Sequence, residues 1–191
     1  MTEWLALSAA LAAGWFSNRY AWWRKPVDLR HPRVLMYHMV SPHRPGAKFN
    51  GLRVPPERFE AQLDWLKRKG WTFFTVGELW AQWDELPEKS VAITFDDGYA
   101  DNLHNALPLL DKYDAKATIY IVVDRHDRDW STAKKAHHNT GELAREPKLS
   151  DDELQRLVAS GRIEIGSHTL THINMGTTSA ADKRQGLAES R

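Results

Sequence analysis

Apolar residues along the 191-residue chain fall into short runs separated by amphipathic stretches. Val34 to Tyr37 is one such run, ending at His38, and it predicts a strand. Ser41 to Pro56 is rich in Pro and Gly and predicts loop. From Pro56 to Gly70, Phe59, Leu63 and Leu66 share one helical face, with Pro56 suited to the first turn and Gly70 to the stop. Trp71 to Val76 reads as a strand, followed by a short helix through Leu79 and Trp83 before Pro87. Val91 to Phe95 is continuously apolar, the pattern of a strand buried on both faces, and it ends abruptly in Asp96-Asp97-Gly98. A helix from about Asn102 to Tyr113, a buried strand over 117–123 and a polar loop over 124–149 come next, and a loop of that length is commonly functional. Ser150 with Glu153 forms a capping-box pattern that opens a helix closing near Gly161. Arg162 to Ser167 reads as a strand, His168 to His172 lies just beyond it, and the last stretch from Ser179 reads as helix. This alternation predicts a parallel α/β sheet or barrel rather than a sandwich or a helical bundle.

The first residues follow a different pattern. Trp4 to Phe16 is almost wholly apolar, and Ser17 and Asn18 then lead to Arg19 and the aromatic residues Tyr20, Trp22 and Trp23. The uninterrupted run is shorter than the ~20 residues of a clean membrane span. It matches a signal-peptide core in length but lacks the basic leader, since Glu3 is the only charged residue before it. Residues 1–25 are therefore expected to be an anchor or signal-like segment, with a surface amphipathic helix as the third reading, and membrane association is expected through residues 4–23. Residues 26–33, with Pro26 and Pro32, read as a linker, and 34–191 as the domain. Arg19, Arg24, Lys25, Arg30 and Arg33 all follow the apolar run, so the positive-inside tendency would keep the domain in the cytoplasm, in conflict with an envelope substrate.

Composition narrows the classes. A hydrophobic content of 42% over this length can bury one core. Lys plus Arg total 26 against 25 Asp plus Glu, a formal charge of +1 that offers no footprint for nucleic acid. The absence of cysteine excludes disulfides, thiolate metal sites and cysteine nucleophiles. Of the nine Trp residues, several stand at helical or strand spacing and read as core rather than as sugar-stacking platforms.

The candidate chemistry lies at strand ends, where open α/β sheets and barrels gather their sites. Adjacent carboxylates at Asp96 and Asp97 repel unless a cation or a proton relieves them. His168-Thr-Leu-Thr-His172 spaces two imidazoles at i and i+4, which on a helical turn would face one metal ion. With one carboxylate they make a set that leaves positions open for water and substrate. Zinc stands first among the metals, and imidazole with carboxylate also suits iron, cobalt, nickel or manganese. Thr169 rather than Glu follows His168, so this is not the HExxH metalloprotease arrangement and a base must come from elsewhere, the second aspartate being the nearest supplier. The competing readings are an exposed Asp-Gly turn, a phosphatase nucleophile whose Asp-x-Asp spacing is absent, and histidines that merely cap or hydrogen-bond. His38 reads as structural or as lining the same mouth, Tyr99 as shaping a sugar site or as packing, and His126, His137 and His138 as solvated loop residues.

Thr94-Phe95-Asp96-Asp97-Gly98-Tyr99 followed by Ser167-His168-Thr169-Leu170-Thr171-His172 resembles the first two motifs of the polysaccharide deacetylases, also called carbohydrate esterase family four. The stretch from Val34 to Val76, with YHMV and FEAQLDWLKRKGW, is similar to the start of the subgroup acting on N-acetylglucosamine polymers of the bacterial envelope. The resemblance implies a metal-dependent hydrolase that removes N-acetyl groups from a polysaccharide, with Asp96 as general base and Asp97, His168 and His172 as ligands of one divalent metal. It implies a location at the bacterial cell envelope, membrane-anchored or periplasmic. Members of the family continue into an Arg-x-Pro-Tyr-like motif and a Leu-x-His motif that supplies the general acid, and neither precedes Arg191. The expected fold is therefore α/β, a partial (β/α) barrel of the polysaccharide deacetylase type truncated at the C-terminus. Lacking a general acid, which typically contributes ~10²–10⁴ in rate, the chain is expected to turn over weakly, to need a second chain to complete the barrel, or to act as a noncatalytic module binding metal or polymer.

Overall fold

The computed structural model describes residues 2–126 and 141–190. His137 and His138 lie outside the described residues. The elements are α1 (Thr2–Tyr20), β1 (Arg33–Tyr37), β2 (Met39–Val40), β3 (Arg53–Val54), α2 (Pro56–Arg68), β4 (Thr72–Phe74), α3 (Val76–Ala81), β5 (Ser90–Asp97), α4 (Leu107–Lys112), β6 (Ala117–Ile121), α5 (Asp151–Ala159), β7 (Ile163–Ser167) and α6 (Ala180–Ala188). β1, β4, β5, β6 and β7 form one sheet in which every pairing is parallel. Val91 pairs with both Arg33 and Phe73, and Ile93 with both Leu35 and Ala117. A strand has two edges, so β1 occupies one edge of β5 while β4 and then β6 share the other.

The sheet's two faces differ. Leu35, Tyr37, Val91, Ile93, Phe95, Ala117, Ile119, Ile163 and Ile165 share one face and pack with Phe59, Leu63 and Leu66 of α2, Leu110 of α4 and Leu157 of α5. This is the main core, and its helices cover the sheet as a parallel sheet requires. The opposite face carries Val34, Met36, Thr94, Asp96, Thr118, Tyr120 and Glu164. Its lower end is closed by α3: the Thr118 hydroxyl and the Gly77 N–H both donate to Glu164 Oε2, at 2.7 and 3.0 Å, and the Val76 N–H donates to Thr118 Oγ1. Capping boxes open α3 at Thr75 and α5 at Ser150. Among the described residues β1 and β7 each pair on one edge only, the arrangement of a partial barrel.

Two expectations need correction. The stretch from Ser41 to Pro56 is not all loop: β3 pairs in parallel with β2, which immediately precedes it. Most of the tryptophans are not core: among the described residues Trp71 packs, partly buried, against the main core, but none is fully buried and Trp65, Trp80 and Trp83 are exposed. Trp80 and Trp83 line a cavity of about 280 Å³ with Val34 and Val76, an apolar patch on the face away from the main core. The N-terminal segment does form a helix, with Trp4, Leu5, Leu11 and Trp15 exposed, but no helix among the described residues is long and apolar enough to cross a membrane.

Candidate metal and hydrolytic centre

Register alone brings the motif residues together. Asp97 ends β5 and pairs with Ile121, which pairs with Ser167 at the end of β7. The His168 N–H then donates to the Ile121 carbonyl at 2.8 Å, so the second motif begins one residue beyond the strand end that neighbours the first. The next turn is pinned from three sides, by Val123 N–H to Thr169 O, Asp124 N–H to Leu170 O, and Leu170 N–H to Gly186 O of α6.

Residues 168–172 are not helical, which corrects the expectation of an i, i+4 helical pair. Thr169 and His172 have φ of 69° and 56°. The tight turn this makes, rather than a helix, aims both imidazoles the same way, with ring centroids 5.0 Å apart. Asp97 is also left-handed, at φ 76°, and so is Gly98. Asp and His tolerate this region better than most residues, and such conformations gather at functional sites. At Gly98 a Cβ would stand 3.2 Å from Ile121 Cγ2, so a side chain there would be strained in torsion and tightly packed.

The Asp97 carboxylate is buried, with Oδ1 3.4 Å from His172 Nε2 and 3.6 Å from His168 Nε2. Ligand atoms of the three residues all lie within 4.8 Å of one another. Donors about 2.0–2.1 Å from a tetrahedral zinc would be about 3.4 Å apart, which the two Asp97–His distances approach. Burial, partly offset by Asp97, holds the His172 imidazole below its usual pKa and hence neutral near pH 7, the form a metal ligand needs.

Asp96 sits on the inner face beside this set. Burial pushes its carboxyl pKa up, opposed by His168 and His38, and reinforced by Asp97. Tyr120 and Gly166 bound the space next to it: a Cβ on Gly166 would meet the Tyr120 ring at 2.6 Å, so glycine there lets the ring lie flat against β7. His38, just past β1, is near enough to act electrostatically on both Asp96 and His172. Tyr99 is buried with Met39, Val122 and Leu143, with Lys148 Nζ 4.6 Å from its ring centre. His126 is exposed.

Reading the sequence alone missed the groups that support the mouth. Arg53, whose side chain is fully buried, donates to both oxygens of Glu146 at 2.6 and 3.3 Å. Glu142 accepts from the Lys48 and Phe49 N–H groups at 2.9 and 3.2 Å. These contacts tie residues 41–54 to residues 141–149, and no local pattern announces a pairing across that distance.

The family model for polysaccharide deacetylase matches residues 83–191, which contain Asp96, Asp97, His168 and His172. The chain belongs to the polysaccharide deacetylase family. A Bacillus subtilis (strain 168) protein, YxkH, whose name assigns it to polysaccharide deacetylases, is 34% identical over 174 residues, covering 90% of this chain and 53% of its own. The poly-beta-1,6-N-acetyl-D-glucosamine N-deacetylase of Staphylococcus aureus (strain MSSA476) is 30% identical over 118 residues, 61% of this chain and 37% of its own. The chain thus spans about half the length, or less, of these curated relatives. Among solved structures, IcaB from Ammonifex degensii superposes with a TM-score of 0.65 at 25% identity, covering 86% of this chain and 67% of that one.

Proposed function

We propose that this deacetylase-family chain hydrolyses N-acetyl groups of an N-acetylglucosamine-type polysaccharide at a centre holding one divalent cation. The observation that carries the reading is the buried Asp97 carboxylate with two imidazole Nε2 atoms at 3.4 and 3.6 Å and a second carboxylate, Asp96, beside it. Asp97, His168 and His172 would hold the cation, zinc first among candidates. When bound, it polarises the acetyl carbonyl and supplies a water whose pKa is lowered to ~7. Asp96 accepts the proton of the attacking water on its carboxylate. Its raised pKa brings proton affinity closer to the operating pH, where a general base is most effective. His172, kept neutral by burial, stays available as a ligand. His38, one residue past β1, is near enough to act on Asp96.

The polymer assignment rests on the named activity of the S. aureus relative and on the subgroup likeness of residues 34–76. A cell-envelope location belongs to the same proposal: α1 exposes apolar residues and ends in Arg19, with Arg24 and Lys25 just beyond it. The single-sided edges of β1 and β7 offer the place where a second chain would complete the barrel.

The test is acetate release from β-1,6- and β-1,4-linked N-acetylglucosamine oligomers, with and without added Zn²⁺. Zinc-dependent release that is lost in Asp96→Asn, with zinc binding retained, is the expected result. Release that persists in Asp96→Asn would remove Asp96 as the base, and zinc binding without release from any oligomer would favour a noncatalytic module.

A further inference from the structure

Beyond Gly98 the chain enters a widened helical turn, Asn102–Ala106, closed by the Leu107 N–H donating to Asn102 O. Such i→i+5 turns are rare and occur disproportionately at functional sites. Pro108 follows within the helix and has no N–H to give to its preceding turn, so the ladder is already interrupted here. Side chains from this turn reach one short piece of backbone, residues 38–41. Asn102 Nδ2 donates to the His38 carbonyl at 3.0 Å, and Asn105 Nδ2 to the Val40 carbonyl at 2.8 Å. Asp101 accepts from Asn102 Nδ2 at 3.1 Å, and its carboxyl lies close enough to Val40 and Ser41 for both to lower its pKa. Ser41 in turn accepts from the buried Arg53 guanidinium at 3.1 Å.

The position of this grip is what matters. Tyr37 is held in register against Phe95, and the next carbonyl, that of His38, is held by Asn102. With the backbone fixed on both sides, the torsions at His38 are fixed, and so is the direction of its Cβ. The imidazole it carries acts on Asp96 and His172.

We propose that Asp101, Asn102 and Asn105 are positioning residues, a polar clasp on the backbone of residues 38–41 that holds the His38 imidazole at the mouth of the metal centre. The inference rests on the reading of Asp97, His168 and His172 as metal ligands. It is tested with Co²⁺ bound in the whole chain, by following the paramagnetic shifts of the His38 ring protons by NMR. The wild-type chain is expected to bind Co²⁺ and to show displaced His38 resonances. Asn102→Ala is expected to keep Co²⁺ affinity within about threefold, since it touches no ligand, while the His38 resonances collapse towards their diamagnetic positions. Asn105→Ala should move them the same way by less, and it carries the test if Asn102→Ala does not fold. Unchanged His38 shifts in a Co²⁺-loaded variant overturn the proposal, as does loss of Co²⁺ binding in both variants, which would make the asparagines general supports of the fold. A wild-type chain that binds no Co²⁺ removes the metal-centre reading and the clasp with it, and this is seen before any variant is made.

Discussion

The ion pair between Arg53 and Glu146 should behave as a single unit. The Arg53 side chain is fully buried and Glu146 is only 5% exposed, with contacts of 2.6 and 3.3 Å between the guanidinium and the two carboxylate oxygens. Removing one partner of a buried pair strands the other charge and costs about 3–5 kcal/mol. Relief is at hand on both sides: Arg44 reaches Glu146 at 2.5 Å and Glu142 lies 4.0 Å from Arg53. The lower end, about 3 kcal/mol, is therefore expected for Arg53→Met and for Glu146→Leu alike. The double variant strands neither charge and should be more stable than either single one, a coupling of more than about 3 kcal/mol. Against a typical domain stability of about 5–15 kcal/mol, this is measurable by urea unfolding at pH 7. Arg44→Ala, which removes a largely exposed side chain, should cost less than about 1 kcal/mol. Additive losses, with coupling below about 0.5 kcal/mol, would show that the pair does not tie residues 41–54 to residues 141–149.

Two further perturbations read the turn after β5. Gly98→Ala forces a Cβ to 3.2 Å from Ile121 at φ 74°, and should destabilise by about 1–3 kcal/mol in urea unfolding and weaken zinc binding as Asp97 is displaced; an unperturbed variant would mean the turn relaxes freely. Burial first, and then Glu146, push the Asp101 pKa up to about 6, against the opposing influence of Val40, Ser41 and Arg53. A carboxyl raised in the folded state favours folding while protonated, so its contribution is complete below pH ~4 and is lost as pH rises through ~6, about 3 kcal/mol in all. Asp101→Asn should therefore gain on the wild type between pH 4 and about 6.5 in urea unfolding, and a constant difference across that window would contradict the assignment.

Much of this architecture was legible in the chain. Val91 to Phe95 reads as a strand buried on both faces because it is, with helices on one side and the inner face on the other. Asp96 and Asp97 are conspicuous because two carboxylates rarely end such a strand without a function. The Ser150 and Glu153 capping box was legible because its hydrogen bonds are local. The turn at 168–172 was not, since i, i+4 spacing fits a helix and a tight left-handed turn equally well, and the bonds that tie it to Val123, Asp124 and Gly186 are all distant in sequence. β2 and β3 were hidden for a similar reason: each is two residues long, and what holds them is Arg53 paired with a glutamate far along the chain. The tryptophans misled because helical spacing reports a face, not which side of the helix meets the core; Leu79 of α3 is buried while its neighbour Trp80 is exposed. The clasp of Asn102 and Asn105 leaves no signature beyond two asparagines near a proline.

The central claim is that Asp97, His168 and His172 form one cation site. Calorimetry of Zn²⁺ binding to the metal-stripped chain and to its His168→Ala variant tests it most directly. One equivalent should bind the wild type, with affinity at least about 100-fold lower in His168→Ala. No binding by the wild type, or equal binding by the variant, would contradict the account.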